Sequence, residues 1–169
     1  RFGGDNSALC VRQGNTVIEI KTFQSMDLMQ LCGAVKNLYD DATAMEQPQE
    51  ILVDVIGLGS GVVDRLAEQN LPVRGVNVAE APSTKKNYLN LRAELWFAVK
   101  DWLAQRDCRL PENDELASEL AAPQYKYTST GKIKIESKDE MRKRGIKSPD
   151  KADALALTMA SSAASFGGS

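Results

Sequence analysis

The stretch Ile51-Leu52-Val53-Asp54-Val55-Ile56 runs straight into Gly57-Leu58-Gly59-Ser60-Gly61. Helical spacing follows over Val62–Gln69, and a second β-rich run over Pro72–Val78. Strand, tight turn, helix, strand is a βαβ unit. Its two strands are too close in sequence for anything but a helical crossover, so they pair in parallel, and the fold is α/β.

The remaining segments fit that class. Ser7–Arg12 and Thr16–Thr22, joined through Gln13-Gly14-Asn15, read as a β-hairpin. Met26–Tyr39 carries Leu28, Leu31, Cys32, Val35 and Leu38 at helical spacing, and polar Asp40–Glu50 follows as a loop or helix end. Asn87–Arg106 reads as a long helix whose core face holds Leu91, Leu95, Trp96, Val99, Trp102 and Leu103. Asn113–Leu120 is a shorter helix. Tyr125–Tyr127 and Lys132–Ile135 form a second hairpin around Thr128-Ser129-Thr130-Gly131. Ser137–Lys143 is a short helix. A last helix is expected with Ser148 as its cap and Pro149 at its first position. With 169 residues, no internal repeat and no clear linker, the chain reads as one domain over 1–169.

Composition removes several chemistries. The chain has no histidine, which excludes Ser–His and Cys–His catalysis and most transition-metal sites. Its three cysteines, Cys10, Cys32 and Cys108, are far apart with no CxxC pair, which fits a reducing cytosol better than a disulfide framework. A metal here is a hard cation on oxygen ligands, Mg²⁺ or Mn²⁺. The net charge of −2 makes any basic surface local. No apolar run reaches the roughly 18 residues of a membrane span.

Three acids stand out. Asp54 sits inside an apolar strand, where a buried carboxylate needs a cation or several donors. The alternative is an aspartate at a strand end that binds the N–H groups of the glycine turn. Those glycines match a dinucleotide fingerprint only weakly, and no suitable acid ends the next strand. Asp150 and Asp153 lie three residues apart in the last helix and share a face. The helix dipole accounts for Asp150 in a first turn, but less well for Asp153 among small apolar neighbours. A shared counter-charge is expected, and with Asp54 the pair makes three carboxylates for one or two Mg²⁺ ions. A basic run carrying Lys132, Lys134, Lys138, Arg142, Lys143, Arg144, Lys147 and Lys151 leads into the acidic pair. Such a run is often only a solvated face, yet a positive rim beside an acidic pocket also suits a phosphate backbone.

At these residues the chain resembles a family. Lys132-Ile133-Lys134-Ile135-Glu136-Ser137-Lys138-Asp139-Glu140, continuing to Arg144-Gly145-Ile146-Lys147-Ser148-Pro149-Asp150-Lys151-Ala152-Asp153-Ala154-Leu155, is similar to the C-terminal nuclease domain of the large terminase subunit of tailed bacteriophages. Asn90-Leu91-Arg92-Ala93-Glu94 and Asp54 with its glycine turn fit as well. So does the opening Arg1-Phe2-Gly3-Gly4-Asp5-Asn6-Ser7, which resembles the family's first-strand motif.

The resemblance implies an RNase H-like fold with a mixed central sheet flanked by helices. It implies metal-dependent endonuclease cleavage of concatemeric viral DNA during packaging, in the host cytoplasm. Portal and small terminase subunit would be reached through the full-length protein. Asp54 matches the second-strand acid, and Asp150 and Asp153 match the acidic cluster of the last helix, buried against the sheet. Asp5 is a further acid of the first-strand motif, past the strand end. The family's first catalytic acid precedes the position of Arg1, so this chain reads as a fragment with a truncated first strand and without the upstream ATPase. Lys132, Lys134, Lys138, Arg142 and Arg144 would hold the DNA backbone. Two other readings use the same residues: a resolvase or integrase-type nuclease of related fold, and a non-catalytic module that clamps DNA or docks on the portal.

Overall fold

The first described element is a hairpin, β1 (Ser7–Gln13) and β2 (Thr16–Phe23), turned at Gly14-Asn15. This is a computed structural model, and it describes residues 6–84 and 86–161. The chain divides into two compact units, one built on Phe23–Val78 and the other on Ala8–Thr22 with Ala79–Met159.

In the first unit, helix α1 (Leu28–Asp41) starts two residues later than its apolar spacing suggests, because Asp27 and Gln30 form a reciprocal cap. The Gln30 N–H donates to Asp27 Oδ1 at 2.8 Å, and the Asp27 N–H donates to Gln30 Oε1 at 3.0 Å. Strand β3 (Ile51–Asp54), helix α2 (Gly59–Glu68) and strand β4 (Val73–Val76) form the expected βαβ unit. The strands pair in parallel from Ile51↔Val73 to Asp54↔Val76. Cys32, Val62, Leu66 and Leu71 make the buried centre between α1, α2 and the strands.

The glycine turn is a packing device. A Cβ on Gly59 would lie 1.7 Å from the Asp54 carbonyl oxygen, so only glycine lets α2 begin against the end of β3. Gly57 has φ +75°, the left-handed region.

The second unit is organised around helix α3 (Leu91–Ala104). Asn90 caps it, its side-chain oxygen accepting from the Ala93 N–H at 3.0 Å, so the helix begins after the cap rather than at Asn87. Leu91, Leu95, Trp96, Val99 and Trp102 are buried as the spacing requires, while Leu103 is half-buried. Tyr88 lies outside the helix. It bridges to Ile133 and is buried with Ala93. Helix α4 (Asp114–Ala121) is capped by Asn113. Strands β5 (Tyr125–Tyr127) and β6 (Ile133–Ile135) pair antiparallel. Helix α5 (Lys138–Lys143) opens on a capping box between Ser137 and Glu140. Helix α6 (Asp150–Leu157) follows, with a short 3-10 turn at Thr158–Ala160.

One expectation about α6 is corrected. Ser148 does not cap it. Pro149 occupies the cap position with no side-chain cap bond, and the Ser148 hydroxyl donates to Asp150 Oδ1 at 2.7 Å instead. The helix packs on α3 and α4. A small-residue surface at Ala152 and Ala156 allows this close approach, and both residues are buried.

Candidate metal centre

Asp54 is not buried. It ends β3 as an exposed residue, and its Oδ1 accepts from the Ile56 N–H at 3.0 Å. This corrects the expectation of a carboxylate sealed in an apolar strand. The strand stops at Asp54, so the side chain escapes burial where the chain turns. The observed bond is close to the strand-end reading, with the N–H coming from the residue just before Gly57. Asp5 lies outside the described residues.

Asp150 and Asp153 are brought together. α6 places both in its first turn, and their side chains are 18% and 21% exposed. The ammonium of Lys138, the first residue of α5, lies 3.3 Å from Asp150 Oδ1 and 3.3 Å from Asp153 Oδ2. Lys138 is therefore the shared counter-charge that the acid pair calls for. Burial pulls its pKa down, but the facing Asp153 and Asp150 charges more than offset this and hold it above the usual lysine value.

Asp153 is fixed more tightly than its neighbour. Trp96 Nε1–H donates to its Oδ1 at 2.8 Å, and Arg92 Nη2–H donates to the same oxygen at 3.2 Å. Arg92 also donates through Nη1 to the Glu136 carbonyl at 2.7 Å, and its guanidinium lies 5.6 Å from the Trp96 ring centroid. Asp153 Oδ2 is buried and has no hydrogen-bond donor in bonding geometry, although the Lys138 charge is near it. Buried carboxylate oxygens are normally satisfied, so this one is an anomaly.

Neighbouring acids of α4 serve α6 in another way. Glu119 Oε2 accepts from the Ala152 N–H at 2.9 Å, and Glu115 pairs with the buried Lys151 ammonium. Burial raises the Glu119 carboxyl above its ordinary range, against the pull of its backbone hydrogen bonds.

Most of the predicted DNA-facing cations already hold intramolecular partners. Lys134 meets Glu140 at 3.0 Å, Arg142 meets Asp139 at 2.9 Å, and Arg144 grips Glu136 through Nε at 2.6 Å and Nη2 at 2.7 Å. Lys132 is exposed on the hairpin. Among the described residues, no three His, Cys, Asp or Glu side chains form a metal-holding group. Sequence reasoning did not assign Arg92 and Trp96 to the site. Their i, i+4 spacing on α3 is the available signal, but it fits a core face and a family motif equally well.

No protein-family model matches the chain, and no curated protein does. Solved structures do. The nuclease domain of the large terminase subunit gp2 of bacterial virus Sf6 is 21% identical, with TM-score 0.77, covering 92% of this chain and 87% of that one. This chain has the terminase nuclease fold. A mutant of the same Sf6 domain, solved with manganese, aligns with TM-score 0.77 at 20% identity over 95% of this chain and 90% of that one. The large terminase nuclease of thermophilic phage G20c, with bound magnesium, aligns with TM-score 0.68 at 15% identity over 90% of this chain and 72% of that one. The RNase H-like α/β architecture expected from the sequence is therefore the one observed. Among the described residues, the parallel β3–β4 and antiparallel β5–β6 pairings lie in separate two-stranded sheets.

Proposed function

We propose that this chain is a metal-dependent DNA endonuclease domain of a phage large terminase subunit, cutting concatemeric viral DNA during genome packaging. The observation that carries the proposal is the Asp150–Asp153 pair of α6. One of its buried oxygens lacks a donor, and it sits in a fold shared with terminase nucleases that bind manganese or magnesium. The donor set fits a hard cation, being all oxygen in a chain without histidine. The pair already accepts a positive charge from Lys138.

Asp150 and Asp153 would hold the cation directly. Asp54 is the proposed second-strand acid on the strength of the sequence resemblance, as is Asp5. When bound, Mg²⁺ or Mn²⁺ supplies Lewis acidity and charge neutralisation at the scissile phosphate, and the two-ion form of this chemistry is the one proposed. The protein's own part is to orient the carboxylates and hold the DNA. Lys132, Lys134, Lys138, Arg142 and Arg144 are the proposed backbone contacts. Exposed ion pairs such as Arg142–Asp139 are weak, so these cations can exchange an internal acid for a phosphate. Phosphate contacts carry no sequence information, so cleavage should show little base preference. Portal and small terminase subunit are the proposed partners of the full-length protein, acting in the host cytoplasm.

The test is cleavage of supercoiled plasmid with Mn²⁺ or Mg²⁺, against EDTA and the variants Asp54→Asn and Asp153→Asn. Metal-dependent cutting that either variant abolishes supports the reading. Normal cutting by Asp153→Asn removes the assigned role. One observation favours a second reading, a DNA clamp that does not cut: no three-acid group forms among the described residues. DNA binding that ignores EDTA, without cleavage even in a form extended upstream, would make that reading the better one.

A further inference from the structure

A carboxylate that only satisfies its neighbours uses both of its oxygens. Asp153 does not. Two donors from α3 converge on Oδ1, Trp96 at 2.8 Å and Arg92 at 3.2 Å, while buried Oδ2 has no hydrogen bond. The two donors are themselves fixed. Arg92 is held by the Glu136 carbonyl and lies over the Trp96 ring, and Trp96 is only 7% exposed. Arg92 and Trp96 stand one helical turn apart on α3, so one rigid face presents both N–H groups. Claiming Oδ1 fixes the carboxylate plane and leaves Oδ2 as the oxygen turned toward the Lys138 charge.

We propose that Arg92 and Trp96 are positioning residues that orient Asp153, so that Oδ2 is the oxygen offered to a divalent cation. This rests on the metal-site reading above and adds the residues that set its geometry. Partners of this kind hold a ligand in one rotamer, and their loss commonly weakens metal affinity about 10- to 100-fold. Trp96 also makes the centre visible. Its indole N–H touches the proposed ligand, and the chain has only one other tryptophan.

The experiment uses the whole chain. Mn²⁺ binding is measured by calorimetry for the wild type, Asp153→Asn, Trp96→Phe and Arg92→Lys, with circular dichroism as the check on folding. Trp96 emission is followed during Mg²⁺ titration in a Trp102→Phe background. Both positioning variants should weaken Mn²⁺ binding about tenfold while remaining folded. Mg²⁺ should shift Trp96 emission, and adding Asp153→Asn should abolish that shift. If Asp153→Asn loses binding but Trp96→Phe and Arg92→Lys bind as the wild type does, the positioning role is wrong and the metal site stands. If Asp153→Asn itself binds Mn²⁺ normally, the metal reading falls and the positioning role falls with it. Should Trp96→Phe fail to fold, Arg92→Lys and the emission shift decide the matter.

Discussion

At Gly59 a single missing carbon sets the geometry of a strand end. Because a Cβ there would lie 1.7 Å from the Asp54 carbonyl oxygen, Gly59→Ala must push α2 away from β3. Overpacking of this kind costs about 1–3 kcal/mol, and the clash is with backbone, so the upper end applies. Urea denaturation of the variant should show that loss; an unchanged midpoint would mean the turn has slack. Asp153 is the second residue where one group decides much. Asp153→Asn should reduce Mn²⁺-dependent plasmid cutting at least about 100-fold, since removal of an essential electrostatic group costs roughly 2.7–4 kcal/mol of barrier. Its melting temperature should stay near that of the wild type. Both aspartates could be picked out from sequence because three-residue spacing fixes a shared helix face. Their company could not. Arg92 and Trp96 lie 61 and 57 positions away, and only tertiary packing brings them to one oxygen. The exposure of Asp54 is hidden from the sequence for a related reason: an apolar run does not reveal which of its residues is the last one in the strand.

At the scale of elements, α5 offers a test by pH. Its capping box places Glu140 against the Ser137 N–H at 2.8 Å, with Lys134 also donating at 3.0 Å. The Ser137 backbone hydrogen bond, with these other donors, lowers the Glu140 carboxyl to about 2 from its ordinary 4.5. The folded state therefore favours the charged form. Its contribution is complete above pH 4.5 and is lost as pH falls toward 2. Glu140→Gln should remove that part of the acid dependence, read as a flatter stability profile between those limits. A carboxyl of Glu140 that titrates by NMR at its ordinary value would count against the cap. The elements themselves were largely legible. Periodicity gave α1, α2 and α3, and turn residues gave both hairpins. What periodicity missed were the starts, because Asp27, Asn90 and Pro149 set them through individual hydrogen bonds or backbone restriction rather than through pattern.

For the whole molecule, metal and salt are the levers. A cation that binds the folded chain alone stabilises it by about 2.7 kcal/mol at a hundred times its Kd. Adding Mn²⁺ should thus raise the melting temperature, and EDTA or Asp153→Asn should cancel the rise. DNA binding carried by roughly five phosphate contacts should weaken several hundred-fold between about 50 and 200 mM salt. A salt-independent affinity would show that the basic run is not the contact surface. The fold class was legible because one βαβ unit already dictates parallel pairing. The pairing of Lys134, Lys138, Arg142 and Arg144 with acids was not, since a charge run shows its sign without showing its partners.

Helix α6 has eight residues and no side-chain cap of its own. A helix that short does not hold in water alone. Its free Ala152 N–H is closed by Glu119, and its buried Lys151 is neutralised by Glu115, both on α4. The helix that carries Asp150 and Asp153 is thus completed by an element made earlier in translation. While the ribosome is still short of residue 157, a nascent chain has α3 and α4 but no ordered acid pair. The acid pair therefore becomes ordered only once α6 has docked on α4.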